Sequence, residues 1–284
     1  MCRLLGWAAR TPVTAREVLG SDGLAAFWRL SRLHADGWGM ADDGADGHFL
    51  QRSTARADTD PAFASATTGR VTRAAIVHLR WATPGLPVEL PNTHPFRHDG
   101  RAFAHNGAIY PVESLGQILS PPWEERLQGT TDSERYFLAV LAELAEPGTE
   151  VPSALARVTG RLTREFRPTS LNALLSTPEA LYAVSCHDPA TAPGATPPAA
   201  GAAVEEAVMD DATYFDVQYR ATPDAVVVAS SGFVPSDADG WQVLPNDTVL
   251  VIDRDSLTTR EVALGSGLGA ASAVGVIGPR TESL

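Results

Sequence analysis

The second residue of the chain is a cysteine, and both its type and its position suit nucleophilic chemistry. If Met1 is removed, Cys2 carries a thiol and a free α-amino group on one residue, and such an amine titrates near ~7.7–8.0. A nucleophile activated by its own terminal amine is a known catalytic arrangement. Cys2 is therefore a candidate N-terminal nucleophile. The alternative is a buried strand that begins with an ordinary cysteine.

Further segments carry polar residues suited to a binding site. They are residues 36–39 (Asp-Gly-Trp-Gly), 80–85 (Arg-Trp-Ala-Thr-Pro-Gly), 92–96 (Asn-Thr-His-Pro-Phe), 104–109 (Ala-His-Asn-Gly-Ala-Ile) and 131–134 (Thr-Asp-Ser-Glu). In this order and spacing, together with the cysteine at position two, the segments resemble the class II glutamine amidotransferases. The glutaminase domain of that family belongs to the N-terminal nucleophile hydrolases.

The resemblance covers residues 2–137, and the second half of the chain matches only in general pattern. The 92–96 segment is most similar to the short, stand-alone members, which include the γ-glutamyl hydrolases of ergothioneine biosynthesis. One departure is Pro84, where some members have His or Ala. Because the family varies at this position, the departure does not weaken the resemblance.

The resemblance implies catalytic roles for three residues. Cys2 would attack the side-chain carbonyl of glutamine or of another γ-glutamyl amide, and its own α-amine would shuttle the proton. The Asn106 side-chain amide and the Gly107 backbone N–H would form the oxyanion hole. An Asn-Gly pair is also the commonest hairpin signal, so a plain turn is the alternative for these two residues.

The resemblance also implies how the substrate is held. Arg80 has the planar fork that binds a carboxylate, here the substrate α-carboxylate, and Asp132 would accept the α-ammonium. Thr83 would support the bound amino acid, and Gly37 and Trp38 would wall the pocket. The alternatives are a surface ion pair for Arg80, a carboxylate favoured at a helix start for Asp132, and core packing for Trp38.

Cofactor chemistry is not expected. Cys2 and Cys186 are the only cysteines and lack the spacing of a metal site or a disulfide framework. His94 and His98 have no cysteine or acidic partner at ligand spacing, which argues against a metal pair. The chain contains no lysine, so Schiff-base and phosphate-loop lysine chemistry are excluded. The resemblance likewise implies no metal and no organic cofactor.

The charge balance limits the partners. A formal net charge of −12 over 284 residues argues against nucleic acid or an anionic membrane, which both need clustered cations. No run of ~18 apolar residues and no secretory signal are present. We expect a cytoplasmic protein, where reducing conditions preserve a thiolate. The expected partner is a small molecule, glutamine or a γ-glutamyl compound.

Three functional hypotheses remain open at this stage. The first is a hydrolase of γ-glutamyl conjugates that acts alone. The second is a glutaminase that supplies ammonia to a separate synthase. The third is a catalytically silent scaffold or regulatory member, which retention of Met1 would favour because it blocks the α-amine.

The elements that must position these residues follow from hydrophobic patterning. An apolar run at 4–9 predicts the strand behind the cysteine, and Thr11–Pro12 with Glu17 predicts a helix start, followed by a helical piece at 24–33. Further strands are predicted at the places listed here: 74–81, 102–109, 171–175, 181–186, 214–219, 225–229, 248–252 and 260–264.

Two helices are predicted between these strands. Thr131 and Glu134 form a predicted capping box for the first, and the second runs from 152 to about 166. Strands, then helices, then strands again predict an α+β fold, a four-layer αββα sandwich of two antiparallel sheets flanked by helices. The predicted domain covers residues 1–264 with a mobile insertion at about 188–203, and residues 265–284 form a flexible tail.

Overall fold

The computed structural model describes residues 2–44, 47–83, 85–191, 213–232 and 240–268. Met1, Pro84, residues 192–203 of the predicted insertion and residues 269–284 of the predicted tail lie outside the described residues. The insertion and the domain boundary therefore remain predictions.

The described residues form fifteen strands. They are β1 (Arg3–Val13), β2 (Trp38–Gly44), β3 (Gly47–Ser53), β4 (Thr72–Leu79), β5 (Phe96–His98), β6 (Arg101–Asn106), β7 (Ile109–Tyr110), β8 (Arg167–Pro168), β9 (Asn172–Ser176), β10 (Ala180–Ser185), β11 (Val217–Ala221), β12 (Ala225–Ser230), β13 (Gln242–Val243), β14 (Thr248–Asp253) and β15 (Thr259–Ala263).

Five α-helices accompany them: α1 (Ala15–Leu30), α2 (Pro61–Gly69), α3 (Pro121–Glu124), α4 (Asp132–Leu144) and α5 (Val151–Glu165). Short 3-10 helices lie at Ala57–Thr59, Leu90–Asn92, Val112–Ile118 and Pro189–Thr191.

Two large antiparallel sheets organise the molecule. The first has the strand order β13-β11-β12-β1-β4-β2-β3, and the second has the order β15-β14-β10-β9-β6-β5. Strand β1 is central in the first sheet and pairs with β4 on one side and β12 on the other. The predicted site residues at the ends of β1 and β4 therefore lie in the middle of the first sheet, and those at the end of β6 lie next to the edge strand of the second.

Three apolar clusters separate four layers. Leu4 of β1 and Ile76 of β4 pack against Leu174 of β9 between the two sheets. On the outer face of the first sheet, side chains of β1 and β4 pack with those of α1 and α2. The outer face of the second sheet packs against α4 and α5. This arrangement confirms the predicted αββα sandwich.

Strand β1 shows why the apolar run at its start is continuous. Successive side chains of a strand point to opposite faces, so Leu4 faces the second sheet while Leu5 faces the helices. Both faces are buried from Leu4 to Ala9, which is why this run is apolar throughout. The strand continues to Val13 with its last residues more exposed.

The start of α1 differs from the prediction. Thr11 and Pro12 belong to β1, and Thr14 is the N-cap residue of the helix. The Thr14 side chain accepts from the Glu17 backbone N–H at 3.2 Å, and the Glu17 carboxylate accepts from the Thr14 N–H at 2.7 Å. This reciprocal pair is the capping box that fixes the start. The helix is interrupted at Gly20, where φ is 75°, which accounts for the two predicted pieces.

The predicted capping box of α4 is only half formed. The Thr131 side chain accepts from the Glu134 backbone N–H at 3.1 Å, as predicted. The Glu134 carboxylate accepts instead from the N–H groups of Gln128 and Gly129, at 3.0 and 2.8 Å. Glu134 therefore fixes the loop that precedes the helix.

Two strand predictions also need correction. The predicted strand at 102–109 is divided, because β6 ends at Asn106 and β7 begins at Ile109. The predicted strand at 214–219 begins later, at Val217, and the residues before it form a turn. Tyr214 in that turn packs its ring on the Arg3 guanidinium, 4.2 Å from the ring centroid.

Candidate active site

The Cys2 side chain lies at the end of strand β4. Pairing of β1 with β4 sets Arg3 opposite Leu79, and this register brings Cys2 beside Trp81. The Trp81 backbone N–H donates to Cys2 Sγ at 3.4 Å, and the thiol donates to the Trp81 carbonyl at 3.4 Å. Burial raises the pKa of the Cys2 thiol, while the Trp81 N–H and the Arg80 charge act in the opposite direction. The thiol is therefore held at one fixed point in the core.

Five of the predicted site residues line one cavity. They are Cys2, Arg80, Thr83, Gly107 and Asp132, and they come from four separate parts of the chain. The cavity measures about 20 Å³, which is room for about one water molecule. The remaining lining residues are Trp81, Ala82, Leu86, Asn92, His94, His105, Thr131 and Ser133. The sequence motifs therefore converge around the thiol.

Arg80 is held by the turn that carries the Asp36–Gly37 motif. The Arg80 backbone N–H donates to the Gly37 carbonyl at 2.8 Å, and the Asp36 N–H donates to the Arg80 carbonyl at 3.0 Å. The Asp36 carboxylate accepts from the Ala82 N–H at 2.8 Å. Arg80 Nη2 donates to the Pro87 carbonyl at 3.1 Å. Burial lowers the pKa of the Arg80 guanidinium, and Cys2 and Asp36 oppose that effect.

Gly37 has a structural reason to be glycine. Its φ is 124°, a region that L side chains rarely adopt, and a Cβ there would lie 2.5 Å from the Ser53 carbonyl oxygen. Gly37 does not line the cavity around Cys2. It contributes the carbonyl that fixes Arg80, so its predicted place in the pocket wall is replaced by a supporting role.

Trp38 likewise does not wall the pocket. Its fully buried side chain lies in the layer between the first sheet and the helices, 5.0 Å from the Phe63 ring. Trp38 Nε1 donates to the Asp60 carboxylate at 2.9 Å. The ring of Trp38 therefore points to the helices, and its neighbours along the strand point to the opposite face of the sheet. The prediction of a pocket role is corrected to core packing, the alternative reading of the sequence.

Asn106 ends strand β6 with its side chain fully buried. Neither Nδ2 nor Oδ1 of this amide has a hydrogen-bond partner among the described residues. Asn106 is not itself among the residues that line the cavity, but it stands between two that are, His105 and Gly107. Buried polar atoms are nearly always satisfied, so an orphaned amide at this place is a candidate ligand-binding group. A Cβ on the next residue, Gly107, would lie 1.9 Å from the Ser170 carbonyl oxygen. The close approach of these two backbones therefore requires glycine there.

Asp132 is the first residue of α4 and is buried. Its Oδ2 accepts from the Ile109 backbone N–H at 2.9 Å, and its Oδ1 accepts from Ser133 Oγ at 3.3 Å. A carboxylate has about four acceptor positions, so each oxygen of Asp132 can accept a further hydrogen bond, and the residue lines the cavity. Asp132 thus ties the helix to the segment that follows Asn106 while presenting negative charge to the cavity.

Sequence reasoning assigned no role to Asn92 and His94, although both belong to a motif used for the resemblance. Asn92 Nδ2 donates to Thr130 Oγ1 at 3.1 Å, and the Thr130 N–H donates back to Asn92 Oδ1 at 2.8 Å. Both ring nitrogens of His94 are buried without partners among the described residues. Burial lowers the pKa of His94 well below its ordinary value, so the ring is neutral.

Two further histidines near the cavity, His78 and His105, make hydrogen bonds to neighbouring elements. The His78 ring contacts the His105 carbonyl at 3.3 Å, and His105 contacts Ser133 Oγ and the Ser170 carbonyl at 2.9 Å each. Burial lowers the pKa of His78 to about 3. These rings hold β4, β6 and α4 in register around the cavity.

Cys186 lies apart, buried in the cluster beneath α4 and α5. Burial raises the pKa of its thiol to about 12, and its Sγ lies 3.3 Å from Ser266 Oγ. Within the described ranges, no three His, Cys, Asp or Glu side chains gather as a metal site would require. No helix in that part of the chain is both long and apolar enough to cross a membrane.

The fold is shared with a solved enzyme. The glutamine phosphoribosylpyrophosphate amidotransferase from B. subtilis superposes with a TM-score of 0.58 at 16% identity, over 93% of this chain and 49% of that one. This likeness shows that the two proteins share the two-sheet αββα fold.

The family follows from the sequence itself. A family model described as "Glutamine amidotransferases class-II" matches residues 1–264. The chain therefore belongs to the class II glutamine amidotransferases. This confirms the family inferred from the motifs.

Two curated relatives give narrower matches. The glutamine–fructose-6-phosphate aminotransferase of Agrobacterium fabrum is 34% identical over 92 residues, which are 32% of this chain and 14% of that protein. The γ-glutamyl-hercynylcysteine sulfoxide hydrolase of Mycobacterium tuberculosis is 32% identical over 117 residues, 38% of this chain and 50% of that protein. The chain thus spans half or less of the length of these relatives.

Proposed function

We propose that the mature protein hydrolyses the γ-amide of a γ-glutamyl compound, with Cys2 as the nucleophile. The observation that carries the proposal is the convergence of Cys2, Arg80, Gly107 and Asp132 on one cavity, with the unpartnered Asn106 amide on the residue directly before Gly107. A sulfur nucleophile, an oxyanion donor pair and two opposite charges are what cleavage of such an amide needs.

The two charged residues fit the head of glutamate. Arg80 and Asp132 present opposite charges to one small cavity, and an α-amino acid carries a carboxylate and an ammonium on one carbon. Charge-assisted hydrogen bonds from a guanidinium to a carboxylate are about twice as strong as neutral ones. In this proposal Arg80 binds the α-carboxylate, Asp132 binds the α-ammonium, and Thr83 contacts the same end of the substrate.

The chemistry proceeds in two halves. Cys2 Sγ bonds to the amide carbon, and the carbonyl electron pair moves to oxygen, where Asn106 Nδ2 and the Gly107 N–H donate to it. The thiol proton passes by the α-amine of Cys2 to the leaving nitrogen, the C–N bond breaks, and a γ-glutamyl thioester remains. Water then adds to the thioester, the C–S bond breaks, and glutamate and the thiol are released.

Removal of Met1 is required by this proposal, because only a free α-amine can accept the thiol proton. Substrate binding also requires the cavity to enlarge, since about 20 Å³ cannot hold an amino acid. Thr83 and Leu86, which line it, follow strand β4 and lie outside any strand or helix. Loop residues are the part of the wall that can move at low cost.

The test combines labelling with turnover. Protein from its native host is treated with 6-diazo-5-oxo-norleucine, a reactive glutamine analogue, and then mapped by mass spectrometry. The proposal predicts a first residue of cysteine, modification at that residue alone, and release of glutamate from γ-glutamyl substrates. Intact Met1 together with absent labelling would refute it and would favour the silent-scaffold alternative.

A second function shares the same site. The match to an aminotransferase over 32% of this chain supports a version in which glutamine is the substrate and ammonia passes to a separate synthase. Comparing turnover of glutamine with that of several γ-glutamyl amines separates the two versions. Activity on glutamine alone that rises when a partner is added would discard the stand-alone hydrolase.

A further inference from the structure

A larger cleft adjoins the cavity that contains Cys2. The cleft measures about 580 Å³ and shares two lining residues, Thr83 and Leu86, with that cavity. Thr130, on its wall, is the residue bonded to Asn92, which lines the Cys2 cavity. Its remaining lining residues are Gly85, Tyr110, Pro111, Val112, Gly116, Glu124 and Arg135. The cleft and the Cys2 cavity therefore adjoin at Thr83 and Leu86.

The size of the cleft bears on the leaving group. Sites for small organic molecules usually measure roughly 300–1,000 Å³, and the cleft lies within that range. Ammonia is about as large as one water molecule and needs no such space. Leu86, Pro111 and Val112 supply apolar surface inside the cleft. The cleft therefore suits an organic amine larger than ammonia.

Arg135 gives the cleft a specific charge. Its side chain is partly buried, Nη1 donates to the Thr131 carbonyl at 3.2 Å, and the buried Nε has no hydrogen-bond partner among the described residues. No described carboxylate lies within ion-pair distance of it. Arg135 also stands in the first turn of α4, where the helix dipole disfavours a cation. Because no described carboxylate of the protein pairs with this guanidinium, Arg135 is available to bind an anionic group of a ligand.

Among the described side chains that line the cleft, the other charged one is Glu124, at the end of α3. It is exposed and makes no ion pair with a described residue. Because water screens an exposed carboxylate, Glu124 affects an anion in the cleft less than the partly buried Arg135 does. Arg135 is therefore the better placed of these two charged side chains to bind an anion in the cleft.

We infer that this cleft binds the amine part of a γ-glutamyl conjugate and that Arg135 binds a carboxylate on that amine. The substrates would then be γ-glutamyl derivatives of amino acids or short peptides. The inference rests on the proposed function, since it assigns the leaving group of that reaction. It also favours the stand-alone hydrolase over the ammonia-supplying version.

The test uses pairs of substrates that differ only in the charge of the leaving amine. For γ-glutamylalanine and γ-glutamylalaninamide, the carboxylate form should have a kcat/KM at least about 10-fold higher, the contribution of one charge-assisted hydrogen bond. Arg135→Gln should bring the ratio of the two values close to one. Arg135→Lys should retain part of the preference, because it keeps the charge and loses the fork.

Arg157→Gln is the matched control. Arg157 lies on α5, pairs with Glu143 at 2.9 Å and does not line the cleft, so its loss should leave the ratio at the wild-type value. A wild-type ratio near one, with glutamate still released in a Cys2-dependent way, would overturn the inference and leave the proposed function standing. A kcat/KM ratio that stays at the wild-type value in Arg135→Gln would overturn the inference as well.

Failure of the proposed function gives a different result. In that case no γ-glutamyl compound is hydrolysed and 6-diazo-5-oxo-norleucine does not modify Cys2. The wild-type ratio needs no variant, so the inference stays testable even if Arg135→Gln does not fold.

Discussion

Cys2 and Trp81 hold each other through two hydrogen bonds. The Trp81 N–H donates to Sγ and the thiol donates to the Trp81 carbonyl, both at 3.4 Å, although 79 positions separate the two residues. Trp81 directly follows Arg80, whose backbone is bonded to the Asp36–Gly37 turn. The thiol and the guanidinium proposed to act on one substrate are thus fixed to the same strand end.

Cys2→Ala should abolish turnover and leave the fold intact. Alanine fills the same buried position with little change in volume, and the strand pairing of β1 does not depend on the sulfur. The measurement is glutamate release together with circular dichroism. Cys186→Ala is the matched control, because that thiol is also buried but lies in the cluster beneath α4 and α5. Equal loss of activity in both variants would contradict the assignment of the nucleophile.

Asp132→Asn should weaken substrate binding more than it slows the chemical step. The amide oxygen can still accept from the Ile109 N–H, so the change removes mainly the negative charge that faces the cavity. The expected result is a KM raised by about 10-fold or more, the loss of one charge-assisted bond. Asp255→Asn, at a side chain that is 93% exposed, serves as control. An unchanged KM in Asp132→Asn would exclude the ammonium-binding role.

Asn106→Ala should lower kcat by about 10²–10³-fold with a much smaller change in KM. Loss of one oxyanion donor has this magnitude because the bond forms mainly in the transition state. The side-chain amide has no partner among the described residues, so its removal should cost little stability. Steady-state kinetics and a thermal melt measure both quantities. A large loss of Tm at unchanged kcat would assign Asn106 a structural role instead.

Trp38→Phe should destabilise the fold without changing KM. The variant keeps an aromatic ring next to Phe63 and removes the hydrogen bond from Nε1 to the Asp60 carboxylate, which also caps α2. A charged acceptor left with one donor fewer costs about 1–3 kcal/mol. Urea unfolding and KM for the same preparation test this. A raised KM at unchanged stability would instead assign Trp38 a role in the wall of the substrate pocket.

Stability should fall as the pH drops below about 6.5. Burial lowers the pKa of His78 to about 3 in the folded protein, whereas an unfolded histidine titrates near ~6.5. Between these values the unfolded chain binds a proton that the folded chain does not. The free energy of unfolding therefore falls by about 1.4 kcal/mol per pH unit for this residue.

Urea unfolding at several pH values between 7 and 4 measures the slope. Burial also lowers the pKa of His94 and His105, so the wild-type slope should exceed that of one histidine. His78→Gln should reduce the pH dependence of the free energy of unfolding by the contribution of one proton, about 1.4 kcal/mol per pH unit. Equal slopes for the wild type and the variant would show that His78 is not the group that titrates.

The sequence alone determined the family and the layers. Continuous apolar runs in strands and amphipathic spacing in helices can be recognised within each segment alone, and they predict which elements pack in layers. Five short motifs in a fixed order were enough to name the residues that converge on the cavity. Cys2, Arg80, Thr83, Gly107 and Asp132 meet there although 130 positions separate the first from the last.

Helix and strand boundaries were less well determined. Thr11 and Thr14 are both plausible N-cap residues, and only the position of the Glu17 carboxylate chooses between them. Glu134 has the correct spacing for a capping box, yet two backbone N–H groups of the preceding loop compete for it successfully. Such competition depends on atoms that the local sequence does not bring together.

The orientation of Trp38 and the cleft with Arg135 were decided only by the tertiary structure. The alternation of side chains along a strand predicts that neighbouring residues face opposite sides of the sheet. It does not predict which side packs against the helices and which packs against the other sheet. From the sequence alone, Arg135 is not distinguished from the other charged residues of an amphipathic helix. Its significance arises because α4 packs beside the loop after β4, and that long-range packing is set by the whole core.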